Sequence, residues 1–322
     1  MKAILYTAYG TPDVLQLREI DKPSPKENEV LVRVHASSIN AIEWRRFTFP
    51  LVARIFGKGL RTPKNMSIGG DLAGRVEAVG AKVTHFQPGD EVFGVQAGAY
   101  AEYVCAAEKN LALKPANVSF EAAATVPIAG LTALQGLRNQ GKIQAGQQVL
   151  IYGAGGGVGT FAVQIAKSFD TEVTAVCGTG SLDIARSSGA ELVMDYSKED
   201  FMKNAKRYDL ILAANGYRSI FEYRRALKPN GNYVVVGGFF AQMLQALFLG
   251  PFISRVGSRK MRGAMANVNQ KDLIFLKELL EAGKVRPVID RTYPLTKVVE
   301  AMNYVLEGHP RGKVVINCRG GQ

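Results

Sequence analysis

Cysteine and histidine are both scarce, with three of each in 322 residues. Cys105, Cys177 and Cys318 stand far apart and form no C-x-x-C pair. Neither a disulfide framework nor a cysteine zinc knuckle can be built from them, and buried reduced thiols are expected. His35, His85 and His309 also lack metal-ligand spacing, so no metal is expected. Long apolar runs are missing too. The N-terminal MKAILYTAYGTPDVLQL alternates and breaks at Gly10 to Pro12 where a signal peptide needs an apolar block, which predicts a cytoplasmic protein. The apolar stretch Phe239 to Ile253 is interrupted by Gln242, Gln245, Gly250 and Pro251. It is shorter than the ~20 residues of a spanning helix, and no membrane span is expected. Internal repeats and low-complexity segments are absent as well.

What is present is ordinary for a folded protein: 47% hydrophobic and 21% charged residues in a chain long enough for two well-buried cores. The net charge is +12 and the pI about 9.6. The cations are spread out, with small clusters at Arg45-Arg46, Arg224-Arg225 and Arg255 to Arg262 and no basic block interleaved with aromatics. A solvated surface that favours an anionic ligand explains this better than a nucleic-acid partner. The segment Pro229 to Ser254 carries no charge at all. It reads as a strand followed by a substrate-pocket lid or a subunit contact. Attachment to a membrane surface, with Arg255 to Arg262 alongside, is the alternative.

The first hundred residues are β-rich. Lys2 to Thr7, Glu29 to Ala36, Gly74 to Val79, Glu91 to Val95 and Ala101 to Ala106 alternate like strands, between turn signals at Pro23 to Pro25, Gly80-Ala81 and Pro88 to Asp90. A partly closed barrel is predicted. Ser119 can cap a short alanine-rich helix, Pro127 interrupts, and Ala129 to Arg138 forms another helix. From Gln148 strands and helices alternate, which argues for a parallel sheet covered by helices. Asn267 or Asn269 starts a helix that ends at Gly283. The expected domains are 1–118 with 286–322, and 119–285, with a ligand cleft between them.

The densest chemical signal is VLIYGAGGGVG, Val149 to Gly159. An apolar strand runs into small residues, opens into a helical TFAVQIAKS, and is followed by a second β-branched run, EVTAVC. Ala154, Gly156 and Gly159 occupy the G-x-G-x-x-G positions, with alanine in place of the first glycine. Such a unit aims backbone N–H groups and a helix N-terminus at one spot, where a pyrophosphate can sit. The competing reading is a tight turn and nothing more. The flanking strands and helix favour the dinucleotide.

Six ordered motifs then carry a family resemblance: GGDLAGRVEAVG at Gly69 to Gly80, PGDEVFG at Pro88 to Gly94, GAYAEYV at Gly98 to Val104, AGLTAL at Ala129 to Leu134, AGGGVG at Ala154 to Gly159 and RGKVVI at Arg311 to Ile316. Their order resembles the medium-chain dehydrogenase/reductase superfamily, in its zinc-free quinone oxidoreductase and enone (alkenal) reductase branch. The resemblance implies an α/β fold, a Rossmann doubly wound parallel sheet domain plus a β-rich GroES-like barrel domain. Zinc members place a cysteine where this chain has Asn40 and a histidine where it has Gly70, and their remaining cysteines have no counterpart here. Without zinc to stabilise an alkoxide, alcohol oxidation loses its electrophile, whereas reduction of a quinone or conjugated carbonyl does not need one.

The activity implied is hydride transfer from a nicotinamide to a quinone or enone, with a small-molecule substrate and a homodimer expected. NAD-specific enzymes carry an acid at the end of the second strand, roughly twenty residues past the glycine motif. Here the stretch is Cys177 to Ser181, without a carboxylate, so NADPH is expected over NADH. Gly178, Thr179, Ser181, Arg186, Tyr196 and Arg311 are its candidate partners, and Lys313 in RGKVVI joins the set. The turn itself contributes Ala154, Gly155, Gly156, Gly157, Val158 and Gly159. Asn215, Gly237 and Gly238 follow strands at their C-terminal ends, where open αβ sheets bind ligands. By resemblance Asn40 lies near the nicotinamide, its amide able to donate to a substrate carbonyl; it reads equally as a turn residue. Thr132 would line the nicotinamide side, or be an ordinary helix position. Tyr100 is the candidate proton donor, against a packed core tyrosine. Two alternatives remain, a non-catalytic NADPH-binding redox sensor or RNA-binding module, and a membrane-surface quinone reductase. Tyr293 to Lys297 fits a Y-x-x-x-K spacing, but Pro294 biases Tyr293 away from helical angles.

Overall fold

In the computed structural model, residues 1–59, 61–64, 66–201, 207–238, 240–308 and 310–319 are described; Phe239 and His309 lie outside the described residues. In chain order the strands are β1 (Lys2–Tyr6), β2 (Leu15–Glu19), β3 (Glu29–Ser38), β4 (Asp71–Val79), β5 (Glu91–Val95), β6 (Tyr103–Ala107), β7 (Leu111–Leu113), β8 (Gln148–Tyr152), β9 (Glu172–Cys177), β10 (Leu192–Asp195), β11 (Tyr208–Ala213), β12 (Leu227–Val235), β13 (Lys260–Gly263), β14 (Ile289–Pro294) and β15 (Lys313–Asn317). The helices are α1 (Ala41–Thr48), α2 (Pro50–Gly57), α3 (Phe120–Ala124), α4 (Pro127–Leu134), α5 (Gly157–Ser168), α6 (Leu182–Ser187), α7 (Ile220–Ala226), α8 (Phe240–Phe248), α9 (Gly250–Val256), α10 (Gln270–Glu281) and α11 (Val298–Leu306).

Two units form. The first comprises 1–128, 268–281 and 289–322, the second 129–267 and 282–288. The first boundary falls at Ile128, later than the expected 118, because the N–H of Ile128 is held by the Asp71 carboxylate at 2.8 Å. Helix α10 belongs to the first unit because it hydrogen-bonds to it at both ends. The Gln270 amide donates to the Leu111 carbonyl at 3.1 Å, and Asn117 donates to the Leu280 carbonyl at 3.3 Å. Its N-cap is Asn269, whose Oδ1 accepts the Asp272 N–H at 2.9 Å. Pro127 separates α3 from α4 as expected and stands first in α4, ahead of the expected start at Ala129, where its missing N–H costs nothing.

In the first unit β1 pairs with β2, and a larger sheet runs β14-β15-β3-β4-β5-β7 with β6 also on β3. The pairings are antiparallel apart from β14 with β15. Register shifts in β3 at Leu31/Val32 and Val34/Ala36 let this long strand bend and serve three partners. Its alternate residues Val30, Val32 and Val34 point into one core with Tyr6, Leu72, Val92 and Tyr100. Strand β15 pairs Val315 with Ser38, and Val314 accepts the N–H of Ile39. Lys313, near the end of the chain, is thereby brought beside Asn40. Tyr293 lies in β14 and packs in this core, not on a helix.

In the second unit all strands are parallel, in the order β10-β9-β8-β11-β12-β13. Val149, Leu150 and Ile151 of β8 are fully buried, the continuous apolar run that a central parallel strand requires. The order reverses between β8 and β11, and the C-terminal ends of these two strands mark the topological switch point. The uncharged segment begins, as expected, in a strand, β12, and continues as the helices α8 and α9.

Candidate functional site

At the switch point the glycines of the β8–α5 turn fall into two kinds. A methyl on Gly153, at φ 85°, would lie 2.6 Å from the N of Asn215 at the end of β11. One on Gly155 would lie 2.2 Å from Ser181 Cβ, and one on Gly159 2.1 Å from the Gly153 carbonyl oxygen. These three are glycine so that chain segments can touch. Gly156 differs: a methyl there would meet nothing closer than 3.8 Å, and its backbone, φ −88° and ψ 176°, suits any residue. Packing gives no reason for glycine at this position. Gly156 is the N-cap of α5, a helix of 12 residues, and Gly157, Val158 and Gly159 supply its first-turn N–H groups, which have no partner inside the helix. Open space beside a helix N-terminus fits a pyrophosphate.

Other expected residues gather around this turn. Ser181 touches Gly155, and Asn215 abuts Gly153. Gly237 packs so that a methyl would lie 2.3 Å from the Ala214 carbonyl oxygen, and one on Gly238, at φ 95°, would lie 2.7 Å from the Gly216 carbonyl oxygen. Ala154 is fully buried, its N–H donating to Val176. At the end of β9, Gly178 faces the Tyr196 hydroxyl, which would be 3.1 Å from a methyl there. Arg186 is exposed on α6 and pairs with Asp183 at 2.8 Å. Thr132 is half-buried in α4.

One expectation about this region needs correction. Residues 177–181 contain no carboxylate, yet one reaches them from the neighbouring strand: β10 sets Asp195 opposite Cys177, and Asp195 accepts the Thr179 hydroxyl. Its other oxygen accepts the Ser197 N–H and hydroxyl at 2.9 and 2.7 Å. The Thr179 and Ser197 hydrogen bonds hold its carboxyl below the usual range, so it stays charged. Sequence spacing missed it because the acid comes from the third strand of the unit, not the second.

The first unit holds a buried polar cluster around Asn40. Asp71 is fully buried; its Oδ1 accepts from Ile128, and its Oδ2 accepts Ser38 Oγ and Asn40 Nδ2, each at 2.7 Å. Lys313 Nζ donates to the Ile39 carbonyl at 2.9 Å and to Asn40 Oδ1 at 2.7 Å, and lies 3.4 Å from Asp71. Asn40 Nδ2 also reaches the Ser38 carbonyl at 3.3 Å. Both amide hydrogens of Asn40 are therefore engaged inside the protein, and donation to a substrate carbonyl requires release of one of them. Lys313 is a structural cation of this cluster, and Arg311 is exposed with its N–H on the Asp290 carboxylate at 3.2 Å.

Glu43 completes the cluster and was not singled out by sequence. Asn40 is the N-cap of α1, and Glu43 at the third helical position accepts the Asn40 N–H, the reciprocal arrangement of a capping box. The N-x-x-E spacing was the available signal. The other oxygen, Oε1, is buried without a hydrogen-bond partner and faces Gly70, where a methyl would be 3.2 Å away. Burial, joined by the Asp71 charge, pushes the Glu43 carboxyl up to about 8, against the pull of the Asn40 N–H, Lys313 and Arg46. Tyr100 is fully buried with its hydroxyl 3.5 Å from Glu43, and burial and the two carboxylates hold its phenol well above the ordinary value. Two proton-bearing groups thus lie side by side. Among the described residues no three His, Cys, Asp or Glu side chains converge to hold a metal ion.

Comparison with known proteins agrees with both units. Residues 26–116 match the alcohol dehydrogenase GroES-like domain family, and residues 188–316 match the zinc-binding dehydrogenase family. The chain is 35% identical over 335 residues to a 2-methylene-furan-3-one reductase of Solanum lycopersicum, covering 98% of this chain and 79% of that protein. It is 33% identical over 331 residues to an NADPH-dependent alkenal/one oxidoreductase of Arabidopsis thaliana, again covering 98% and 79%. The solved structure of the quinone oxidoreductase from Coxiella burnetii superposes with a TM-score of 0.87 at 32% identity, covering 99% of both chains.

Proposed function

The chain belongs to the medium-chain dehydrogenase/reductase superfamily, and from that premise we propose that it is a metal-independent oxidoreductase using NADPH to reduce quinones or α,β-unsaturated carbonyls. The observation that carries this reading is Gly156, a glycine that neither packing nor backbone angle requires, at the mouth of a helix in the switch-point crevice. The bound nicotinamide would supply the hydride. The residues of this chain then have three tasks.

The first is to hold the dinucleotide. Gly156 would leave room for the pyrophosphate, and the N–H groups of Gly157, Val158 and Gly159 would hold it. The Ser181 and Tyr196 hydroxyls, with Arg186, are the groups for a ribose phosphate. Asp195 does not compete for it directly, since both its oxygens are engaged by Thr179 and Ser197. The second task is to hold a proton. Reduction by hydride leaves an anionic oxygen or carbon that needs one proton, and Tyr100 with Glu43 behind it is the proton-bearing pair of the first unit. Water then restores the proton to Glu43. The third is to do without a Lewis acid. The Lys313 ammonium between Asn40 and Asp71 already provides the positive charge there, and a divalent ion on Asp71 would meet like charge.

The test is direct. Purified protein is mixed with NADPH or NADH and a panel of quinones and enones, and loss of reduced-cofactor absorbance is followed with and without a chelator. Turnover with NADPH, insensitive to chelation, is the expected result. No oxidation with any acceptor, or activity that disappears with chelator and returns with zinc, overturns the proposal.

A further inference from the structure

The redox reading leaves the helix pair α8 and α9 unexplained. Leu249 N–H bonds to the Gln245 carbonyl at 2.9 Å and Ile253 N–H to the Leu249 carbonyl at 3.0 Å, so helical hydrogen bonding continues across the junction and the two helices share one register. Their inner face is already satisfied. Gln242 and Ala246 are buried, Met243 and Ile253 pack on the core of the second unit, and Gly250 approaches β13 so closely that a methyl would lie 2.6 Å from the Met261 carbonyl oxygen.

The outer face is apolar as well. Phe248 is 63% exposed, Phe252 66% and Val256 87%, each four residues after the last, with Leu247 at 65% beside them. Residues spaced by four form one stripe along a helix, and a water-facing stripe is normally polar. A contiguous apolar crest of this kind on a soluble fold marks a surface that something covers.

Charge selects the occupant. From Tyr223 through Lys271 the chain has no carboxylate, while Arg224, Arg225, Arg255, Arg259, Lys260 and Arg262 fall within it. Arg255 is exposed in the stripe itself, and the Arg224 guanidinium lies at the end of α9, 3.8 Å from where a Gly257 methyl would be. A second copy docking symmetrically on this face would set these cations against themselves, and the stretch from Tyr223 through Lys271 contributes no acid to pair them. An anionic lipid surface meets both needs, since its acyl boundary takes the aromatic crest and its headgroups take the guanidinium groups.

We propose that the outer face of α8 and α9 is a docking surface for an anionic lipid bilayer, lying in the plane of the interface. The segment is too short and too interrupted to cross, so binding is peripheral and reversible by salt. This inference stands independently of the substrate.

The full-length protein is sedimented with vesicles of phosphatidylcholine alone and of phosphatidylcholine and phosphatidylglycerol in equal parts, at low and high salt. Two variants accompany it: Phe248→Ser/Phe252→Ser/Val256→Ser, and Arg224→Gln/Arg255→Gln. Far-UV circular dichroism and NADPH binding check that each is folded. The expected result is retention on the mixed vesicles only, weakened by salt and by roughly tenfold or more in the arginine variant, and lost in the apolar variant. Absence of retention at low salt overturns the proposal. So does equal retention of the wild type and the apolar variant, or a wild-type dimer that the apolar variant turns into a monomer, which would assign the face to a second copy.

Discussion

Replacing Glu43 by glutamine isolates the most unusual group in the first unit. Glutamine keeps the shape and can still accept the Asn40 N–H, so the capping box survives. What disappears is a proton equilibrium. In the folded protein the Glu43 carboxyl is pushed from 4.5 to about 8, chiefly by burial. In the unfolded chain it ionises near its ordinary value. Between these limits the folded state holds one proton more than the unfolded state, so stability is fully present below the lower value and is lost as pH rises through the upper one. Each pH unit in that window is worth about 1.4 kcal/mol, and the whole window on the order of 4–5 kcal/mol. The Glu43→Gln variant has no such loss. Urea unfolding of both proteins at several pH values between these limits measures the difference, and Trp44, the one tryptophan of the chain and the neighbour of Glu43, reports the transition of this unit by fluorescence. The variant should gain on the wild type steadily as pH rises, by about 4–5 kcal/mol in all. A difference independent of pH refutes the assignment of Glu43 as a buried acid that is neutral at pH 7.

Other outcomes follow from the same geometry. Lys313→Met leaves the Asp71 carboxylate buried without its cation and should destabilise the first unit by about 3–5 kcal/mol in urea unfolding, with a near-neutral effect counting against the cluster as described. Gly155→Ala and Gly159→Ala force a methyl to within 2.2 and 2.1 Å of Ser181 and the Gly153 carbonyl, and each should lower stability by about 1–3 kcal/mol; unchanged unfolding midpoints would contradict the close approach. Because both Asp195 oxygens are engaged by Thr179 and Ser197, Asp195→Asn should leave the ratio of KM values for NADPH and NADH essentially unchanged, whereas a clear shift toward NADPH would show that this carboxylate reaches the cofactor.

Much of the fold was legible because periodicity and turn chemistry are local. The buried run of β8, the glycine turn and the helical TFAVQIAKS follow one another within a single αβ unit, and each element agrees with its neighbours. Ser119 and Asn269 cap helices where their side chains predict it. The errors arose where tertiary pairing decides. Asp195 reaches the end of β9 through a strand register, Lys313 reaches Asn40 because β15 pairs with β3, and neither relation has a spacing in the sequence. Glu43 had its capping signal, but burial, which a spacing does not report, is what makes it an acid of interest. The uncharged segment does begin in a strand, β12, as its apolar run suggests, but the helices α8 and α9 that follow were not singled out, because Gly250 and Pro251 interrupt the run where one helix passes into the next.

Titration calorimetry of NADPH into the wild type and Gly156→Leu tests the central claim. The backbone angles at this position suit any residue and a Cβ there meets nothing closer than 3.8 Å, so the variant should unfold at the same urea concentration as the wild type. The wild type should bind with measurable heat and the folded variant should show none. Equal binding by both, or no heat from the wild type, would contradict the account.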